Sequence, residues 1–295
     1  MPFQNIRKLP SKIELLFDEN STIPKFTYFN PSSSYPYIYV RATETVDNLE
    51  GLGFANINHM FIYSYLTNKM IMIDIPIGTL KLSYNVHQGI EDTRLFIYQD
   101  RLWFIASSTH ASASMMSEIL IGYYDDKISS IKFIQQLDFG IRPLKNMCPF
   151  VSKDCIYTID FYKLKLYEII LEDSKYVPIY IKTFAPCNGI KKHMLRGSTS
   201  PIHLHGNLWG CVVHEHIPKL PKGAFAYVSY WLEFDLERGT ITFLSAPFFV
   251  SILGIEFISG IEYYKDRDEI ELYLGVKDKK PIVAYTTLHD LRAGL

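Results

Sequence analysis

The strongest constraint on the fold of this 295-residue chain is a strand-and-turn pattern that recurs along it. Arg94–Trp103 (RLFIYQDRLW) aligns with Ser200–Trp209 (SPIHLHGNLW) at an offset of 106 residues, so that a predicted strand, a turn and a Leu-Trp pair coincide. A third copy, Pro149–Tyr157 (PFVSKDCIY), lies halfway between them and has Ile-Tyr in the place of Leu-Trp. The pattern therefore indicates an internal repeat of about 53 residues.

Each copy follows a polar cluster, and two weaker copies extend the series toward both ends of the chain. The residues that open the five units are Asn30, Glu91, Lys145, Arg196 and Glu256, at intervals of 61, 54, 51 and 60 residues. Four short antiparallel strands and their loops occupy about this length, which is that of one β-propeller blade. The sequence thus predicts a single five-bladed β-propeller over residues 1–295, closed by Ile13–Phe17 and Ile282–Thr287 in the first and last blades. A pair of β-sandwiches with chance similarity is the alternative.

Short apolar runs between turn residues predict an all-β fold made of antiparallel strands. Six such runs are Tyr37–Val40, Met60–Tyr63, Leu95–Tyr98, Leu102–Ile105, Cys155–Thr158 and Glu271–Leu274. No segment sustains an apolar period of 3.6 over a dozen residues, which a helix would need. Hydrophobic residues make up 48% of the chain and aromatic residues 15%, so a disordered chain and a coiled coil are excluded.

Charge and hydropathy limit the partners of the chain. The net charge is −1, so no bulk attraction to nucleic acid is expected. The sequence has neither a secretory signal nor a run of about 20 apolar residues, which predicts a cytoplasmic protein without membrane insertion. The four cysteines lack the paired spacing of a zinc site, and phosphate-binding glycine loops are absent, so neither a metal nor a bound cofactor is predicted.

The innermost strands of a propeller converge on its axis, so polar residues that open distant repeats would meet in one funnel. The residues predicted to meet there are Arg41, Glu91, Asp92, Arg94, Lys145, Asn146, Arg196, Ser198, His214, Glu215, Glu256 and Asp278. One interpretation is a set of ion pairs that hold blades together, Asp92 with Arg94 and Glu256 with Lys145 or Arg196. The other is an active site.

Cations beside carboxylates suit a reaction on a neutral polar substrate with an anionic partner, because the cations bind phosphate and a carboxyl moves a proton. Sugar chemistry fits this description. Aromatic faces commonly hold sugar rings, and the candidates are Trp103, Tyr157, Trp209, Tyr230 and Trp231. The repeat gives Trp103 and Trp209 equivalent positions, which favours a place in the core for both.

Several motifs resemble those of a known group of proteins. Glu91–Arg94 (EDTR) resembles the Glu-Asp-Pro-Arg signature that opens the second blade of five-bladed propeller mannoside phosphorylases and related mannosyltransferases, with Thr93 in place of the usual proline. Propeller modules found alone or joined to glycosyltransferases are more similar still. They have counterparts of Leu144–Phe150, Leu195–Pro201, Val213–Glu215, Ser245–Phe249 and Gly254–Phe257. Met147 and the Tyr230-Trp231 pair depart from the larger relatives.

The resemblance implies a carbohydrate-active site in the funnel. The general acid of the phosphorylases falls on Asp92, and their phosphate-binding side chains fall on Arg41, Lys145, Arg196 and His214. We expect Glu91, Arg94 and Asn146 beside this set, and Glu256 and Asp278 on sugar hydroxyls. Phosphate or a nucleotide sugar would be the co-substrate and a glycan the substrate, and a separate glycosyltransferase is a further expected partner.

A general acid must hold its proton near neutral pH, so the pKa of Asp92 would have to be raised by apolar walls or by Glu91. If Arg94 pairs with Glu91, Asp92 is free to act as an acid. If Arg94 pairs with Asp92, that carboxylate stays ionised and suits a base that activates an acceptor hydroxyl. Both roles belong to inverting glycosyl transfer.

Two other functions fit the same fold. A glycoside hydrolase would use a second carboxylate, Glu215 or Glu256, about 6.5 to 9.5 Å from the first to activate water. A non-catalytic propeller would bind a glycan or a protein on one face.

Overall fold

A computed structural model of the protein describes residues 6–17, 25–47, 54–75, 87–108, 117–125, 127–140, 145–187, 190, 194–217 and 226–293. Within these ranges the fold is all-β apart from one short helix, α1 (Leu288–Arg292). Two short strands near the N-terminus, β1 (Arg7–Lys8) and β2 (Lys12–Leu15), pair with strands that lie late in the chain.

The first half of the described chain forms two sheets. Sheet I contains β3 (Thr27–Ser34), β4 (Tyr37–Asp47), β5 (Phe54–Ser64), β6 (Lys69–Met72) and β7 (His87–Gln88), where β7 runs parallel to β5. Sheet II is an antiparallel meander of β8 (Glu91–Tyr98), β9 (Arg101–Ser108), β10 (Glu118–Tyr124) and β11 (Ile131–Gln136).

The second half forms three more sheets. Sheet III is the meander β12 (Cys148–Ser152), β13 (Cys155–Asp160), β14 (Lys165–Glu172) and β15 (Lys175–Thr183). Sheet IV contains β16 (Arg196–Gly197), β17 (Ile202–His205), β18 (Leu208–Ile217), β19 (Ala226–Asp235), β20 (Thr240–Leu244) and β21 (Phe248–Phe249), with β1 parallel to β21. Sheet V contains β22 (Glu256–Tyr264), β23 (Glu269–Val276), β24 (Lys280–Thr286) and β2.

Local sequence explains the hairpins. The six apolar runs predicted as strands lie inside β4, β5, β8, β9, β13 and β23, which confirms them. Three hairpins turn through two residues that both have positive φ, at Gln99-Asp100, Lys153-Asp154 and Asp173-Ser174. Two positive φ values define the type I′ turn, whose twist matches that of the flanking strands. Polar residues at the turns therefore set the registers of these hairpins in sheets II and III.

The two ends of the described chain meet in sheet V. β2 pairs antiparallel with β24, and Ile13 lies opposite Ala284. The segments Ile13–Phe17 and Ile282–Thr287 were expected to complete the first and the last blade. That expectation is wrong in one respect, because the paired parts of both segments belong to the same, last sheet.

Consecutive sheets pack against one another, and the fifth packs against the first. Strand β3 contacts β8, β8 contacts β12, β13 contacts β16, β19 contacts β22, and β22 contacts β3. Five buried apolar clusters fill the five seams, and each draws its side chains from two consecutive sheets or, in the last case, from sheets V and I. Trp103 lies in the cluster between sheets II and III and Trp209 in that between III and IV, which confirms their places in the core. The arrangement is consistent with a β-propeller.

Close sheet-to-sheet approach needs small residues at particular points. Gly197 in β16 lies so near sheet III that a Cβ atom there would overlap Cys148 Sγ and the main-chain oxygen of Asn146. The residues that open the predicted repeats lie in, or just before, the first strand of each sheet in chain order, leaving β1 and β2 aside. Asn30 lies in β3, Glu91, Arg196 and Glu256 begin β8, β16 and β22, and Lys145 lies just before β12.

None of the helices among the described residues is long and apolar enough to cross a membrane.

Candidate functional site

A cavity of about 480 Å³ opens at the inner strands, and all five sheets contribute to its wall. The lining residues are Phe29, Asn30, Arg41, Thr43, Glu91, Asp92, Lys145, Asn146, Arg196, His214, Tyr227, Phe257 and Asp278. Eight of the twelve residues predicted to meet in the funnel are among them: Glu91, Asp92, Arg41, Lys145, Asn146, Arg196, His214 and Asp278. The other four, Arg94, Ser198, Glu215 and Glu256, do not line the cavity.

A β-bulge aims two consecutive acidic residues into this cavity. Adjacent side chains of a regular strand point to opposite faces of the sheet. In β8, however, Glu91 pairs with Ser107 and Arg94 with Ile105, so two residues of β8 stand opposite one residue of β9. Asp92 lies in this bulge with φ of 52°. A bulge redirects a side chain, and here both Glu91 and Asp92 reach the cavity wall.

Sheet I contains a similar β-bulge. Phe29 pairs with Arg41 and Ser32 with Tyr39, and the bulged residue Asn30 has φ of 48°. The amide Nδ2 of Asn30 donates to Asp92 Oδ1 at 3.3 Å. The two bulges therefore bring an amide and a carboxylate from neighbouring sheets into contact.

Two cations neutralise the paired carboxylates. Arg41 contacts Glu91 Oε2 at 3.1 Å through Nη2 and Asp92 Oδ1 at 3.3 Å through Nη1, and its Nε donates to Asn58 Oδ1 at 2.7 Å. Lys145 donates to Glu91 Oε1 at 2.9 Å. Sheets I, II and III are thus joined by one ionic network on this wall of the cavity.

Arg94 takes no part in that network, so neither predicted pairing with Asp92 or Glu91 is present. Its guanidinium donates instead to main-chain oxygens, at 2.9 Å to Asp92 and at 3.3 Å to Thr93. The side chain is buried beside the cavity rather than exposed in it. Arg41 fills the place that sequence reasoning gave to Arg94.

The network keeps Asp92 ionised. Burial alone would raise the pKa of this carboxyl, but the charges of Arg41, Lys145 and Arg94 and the Asn30 amide outweigh burial and hold the pKa below its ordinary value. The sequence left both an acid and a base role open for Asp92, and the lowered pKa favours the ionised form. An ionised carboxylate at this position can accept a proton or a hydrogen bond.

His214 is neutral. Burial, followed by the charges of Arg196 and Arg94, lowers the pKa of its imidazole to about 3. The ring Nδ1 is hydrogen-bonded to Ser198 Oγ at 2.8 Å, and the ring packs against Tyr227 and Phe257. His214 can therefore offer a hydrogen bond to a ligand but not the positive charge that was predicted for it.

Arg196 and Asn146 line the cavity with polar groups that are not engaged by the rest of the described chain. Arg196 opens β16 and has no ion pair to a described residue. Asn146 has φ of 74°, and its Oδ1 is buried without a hydrogen-bond partner in the described structure. These groups leave a cation and an amide oxygen available to a ligand.

Glu256 and Glu215, the two candidates for a second carboxylate, point away from the cavity. Glu256 is buried and accepts hydrogen bonds from the main-chain N–H groups of Val250 at 2.6 Å, Ser251 at 2.6 Å and Ile252 at 3.0 Å. Glu215 accepts from the Tyr230 hydroxyl at 2.8 Å. Among the described residues Glu256 makes no ion pair with Lys145 or Arg196, and it lies outside the wall of the cavity in which we expected it to bind sugar hydroxyls.

Asp278 supplies a third carboxyl to the cavity. It lies in the turn between β23 and β24 with φ of 50°. Burial raises its pKa above the ordinary value, and this effect outweighs the opposing charge of Arg41. The wall thus presents an ionised Asp92 and a less acidic Asp278.

The aromatic residues of the cavity were missed by sequence reasoning. Phe29, Tyr227 and Phe257 line it, whereas Trp103, Tyr230 and Trp231 are buried in the seams between sheets. Thr43 was missed too. Strand alternation from Glu256, which was assigned to the cavity, places Phe257 on the other face of β22, so this signal pointed away from Phe257.

A second cavity, of about 560 Å³, lies between sheets III and IV at the hairpin ends of their strands. Trp209 and Tyr157 line it, but its polar groups largely bind one another. Lys182 donates to the main-chain oxygens of Leu236 at 3.1 Å and Glu237 at 3.0 Å, and Asn207 donates to the Glu237 carboxylate. Among the described residues no three His, Cys, Asp or Glu side chains are grouped to hold a metal ion.

Comparison with known proteins points to one group of folds. No protein-family model matches the sequence. No curated protein matches it either. Solved structures do match over nearly the whole chain. One is a member of the GH130 family of mannoside phosphorylases, which contains glycoside hydrolases that target β-1,2 mannosidic linkages in Candida mannan, with a TM-score of 0.62 at 15% identity, covering 98% of this chain and 99% of the other.

Two further matches come from Leishmania mexicana. The mannose phosphorylase MPT-4, solved in complex with phosphate ion, has a TM-score of 0.59 at 10% identity, covering 96% of this chain and 89% of its own. The GDP-Man-dependent mannosyltransferase MPT-1 has a TM-score of 0.59 at 12% identity, covering 100% of this chain and 94% of its own. At such identities the likeness shows a shared fold, that of the mannoside phosphorylase-like proteins.

Proposed function

We propose that the protein is a carbohydrate-active enzyme that transfers a glycosyl group to or from an anionic carrier. The observation that carries this proposal is that the carboxylate of Asp92 lines the same cavity as the cations Arg41, Lys145 and Arg196. Carboxylates that move protons and cations that hold phosphate are the two requirements of such a transfer. The structural neighbours that include phosphorylases and a mannosyltransferase support the same chemistry.

The proposed architecture is a five-bladed propeller in which sheets I to V are the blades and the cavity is the central funnel. Five sheets, five packed seams and the return of sheet V onto sheet I support it. On this view residues 1–295 form one domain.

Asp92 is the proposed proton-transfer residue. In the synthetic direction an acceptor hydroxyl attacks the anomeric carbon of a sugar phosphate or nucleotide sugar, and the bond from that carbon to the phosphate oxygen breaks. The hydroxyl proton passes to the ionised Asp92, and the phosphate leaves with the bonding electron pair. In the reverse direction the protonated Asp92 returns the proton to the leaving oxygen, as microscopic reversibility requires.

The anionic group would bind on the side of sheet IV. Arg41 and Lys145 are already neutralised by Glu91 and Asp92, whereas Arg196 has no such partner in the described structure. Arg196 would contact the phosphate directly, with hydrogen bonds from His214. Asn146 and Asp278 would hold sugar hydroxyls.

Hydrolysis is the alternative that one observation favours. Asp278 shares the cavity with Asp92, and the environments of the two carboxyls shift their pKa values in opposite directions. Such a pair is the arrangement that separates an acid from a base. In a hydrolase the ionised carboxylate would activate water and phosphate would not be required.

A product assay separates these functions. The protein would be incubated with mannose 1-phosphate or GDP-mannose and an acceptor panel, and separately with manno-oligosaccharides with and without phosphate. Phosphate-dependent release of sugar phosphate, or transfer from either donor, would support the proposal. Phosphate-independent release of mannose would support the hydrolase. Binding of these sugars by calorimetry without any product would overturn both and leave a recognition module.

A further inference from the structure

Arg94 is a buried cation without a carboxylate partner. About 1% of the residue is exposed, and it makes no ion pair with any described residue. Removing a guanidinium from water is costly, and buried arginines are usually matched by carboxylates. Glu91 and Asp92 are close to it in sequence, yet they are bound by Arg41 and Lys145. The burial of the Arg94 guanidinium therefore needs a physical reason other than a carboxylate partner.

The donors of Arg94 reach the bulge that carries Asp92. Nη1 donates to the main-chain oxygens of Asp92 at 2.9 Å and Thr93 at 3.3 Å. A bulge interrupts the ladder of hydrogen bonds between strands, so oxygens within it need other donors. Arg94 supplies a donor to both of the bulged residues.

The same guanidinium also reaches the opposite side of the cavity. Its Nε donates to the main-chain oxygen of Ser198, whose Oγ is hydrogen-bonded to His214 Nδ1 at 2.8 Å. The guanidinium carbon lies 5.3 Å from the centre of the Phe257 ring, which lines the cavity from sheet V. Arg94 thus connects the bulge of sheet II to His214 of sheet IV.

We propose that Arg94 is a positioning residue: its guanidinium fixes the bulged backbone of Asp92 and, through Ser198, the ring of His214, so that both side chains keep one geometry across the cavity. The inference rests on the proposed function only where it names Asp92 as the proton-transfer residue. The hydrogen bonds that connect Asp92 to His214 through Arg94 and Ser198 do not depend on that function.

The test compares Arg94→Lys and Arg94→Met with Arg101→Lys, a control on the neighbouring strand whose guanidinium lies over Tyr123. The carboxyl carbon of Asp92 and the ring nitrogens of His214 are followed by NMR as a function of pH. Arg94→Met removes a charge that acts on both pKa values, so the decisive variant is Arg94→Lys, which keeps the charge. We expect both titrations to change together in Arg94→Lys and neither to change in the control. If the Arg94→Lys protein folds and neither titration changes, the inference is overturned. The same holds if the only effect of the substitution is a lower thermal midpoint.

Activity gives a separate readout. If wild-type protein turns over a glycosyl substrate, Arg94→Lys should lower kcat about 100-fold with KM within about threefold, because loss of positioning acts on the reacting geometry. A change in KM alone would contradict the inference. If the wild type has no turnover, the proposed function fails, and the NMR comparison still decides the role of Arg94.

If neither Arg94 variant folds, the inference can be tested on the wild-type protein by hydrogen exchange. Hydrogen-bonded to Ser198 and buried, the Arg94 Nε–H should exchange slowly with solvent at pH 8, unlike that of Arg101. A rapidly exchanging Arg94 Nε–H would overturn the proposal.

Discussion

Lys145, in the segment just before sheet III, and Glu91 of sheet II are joined by an ion pair of 2.9 Å on the cavity wall. Because Arg41 binds the other oxygen of the same carboxylate, Glu91 is held by two cations. Asp92 shares Arg41 with it and adds only the Asn30 amide. Of the two neighbouring acids, only Asp92 has an oxygen, Oδ2, without a hydrogen-bond or ion-pair partner among the described residues, because both of its contacts are made by Oδ1.

Replacing Asp92 by Asn should abolish glycosyl transfer while the fold survives. The amide keeps the shape and can still accept a hydrogen bond from Asn30, but it cannot take a proton, so kcat should fall about 10³-fold. The thermal midpoint should stay within a few degrees of the wild type. Asp266→Asn, at an exposed turn, is the matched control. Equal loss of folding and activity would assign Asp92 a structural role.

Arg196→Met should weaken phosphate binding without loss of stability. The lost charged hydrogen bond corresponds to about 1.5–3 kcal/mol, or roughly 10- to 100-fold in affinity. Titration calorimetry with inorganic phosphate measures the change, and Lys175→Met on the exposed strand β15 is the control. Unchanged phosphate affinity would exclude Arg196 from the anion site.

Glu256→Ala should destabilise the protein and leave the cavity chemistry intact. Three main-chain N–H groups would lose their acceptor, which costs about 3 kcal/mol or more. Glu269→Ala, which removes an exposed pair with Arg267, should cost less than about 1 kcal/mol. Urea denaturation compares the two. A stable Glu256→Ala protein with weakened sugar binding would restore the role first expected of this residue.

Glu262 should make stability fall as pH rises from about 4.5 to 7. Burial, with the charge of Glu271 opposite it, raises the pKa of this carboxyl to about 7, although the Tyr35 N–H and Ser33 oppose the shift. The native state then binds a proton that the unfolded state has released, so protonation stabilises the fold below pH 7 and is lost above it.

The size of this effect is at most on the order of 3 kcal/mol. Glu262→Gln should flatten the profile between pH 5 and 8 and raise stability at pH 8. Chemical denaturation at several pH values provides the measurement, with Glu269→Gln as the control. An unaltered pH profile in Glu262→Gln would show that Glu262 titrates normally.

The repeat made much of the fold and of the site predictable from sequence. Its openers mark the inner strands, so residues as distant as Arg41 and Asp278 could be assigned to one cavity. Strand positions also followed from apolar runs and turn residues. These signals are local or periodic, and a single sequence carries them.

The errors concern side-chain direction. The bulge at Asp92 reverses the alternation of β8, and no residue type announces it, since Thr93 stands in the sequence like any strand residue. Arg94 and Glu256 were assigned to the site by charge, yet each is turned toward main-chain groups that only the packed structure places near them. Charge shows that a residue needs a partner but not which partner it finds.

The pairing of β2 with β24 has a consequence for how the molecule is made. β2 precedes β24 by more than 260 residues in the sequence, so its hydrogen-bonding groups have no partner in sheet V until β24 has emerged from the ribosome. Assembly is therefore completed late, and a chain that stops before β24 leaves sheet V without its two outer strands.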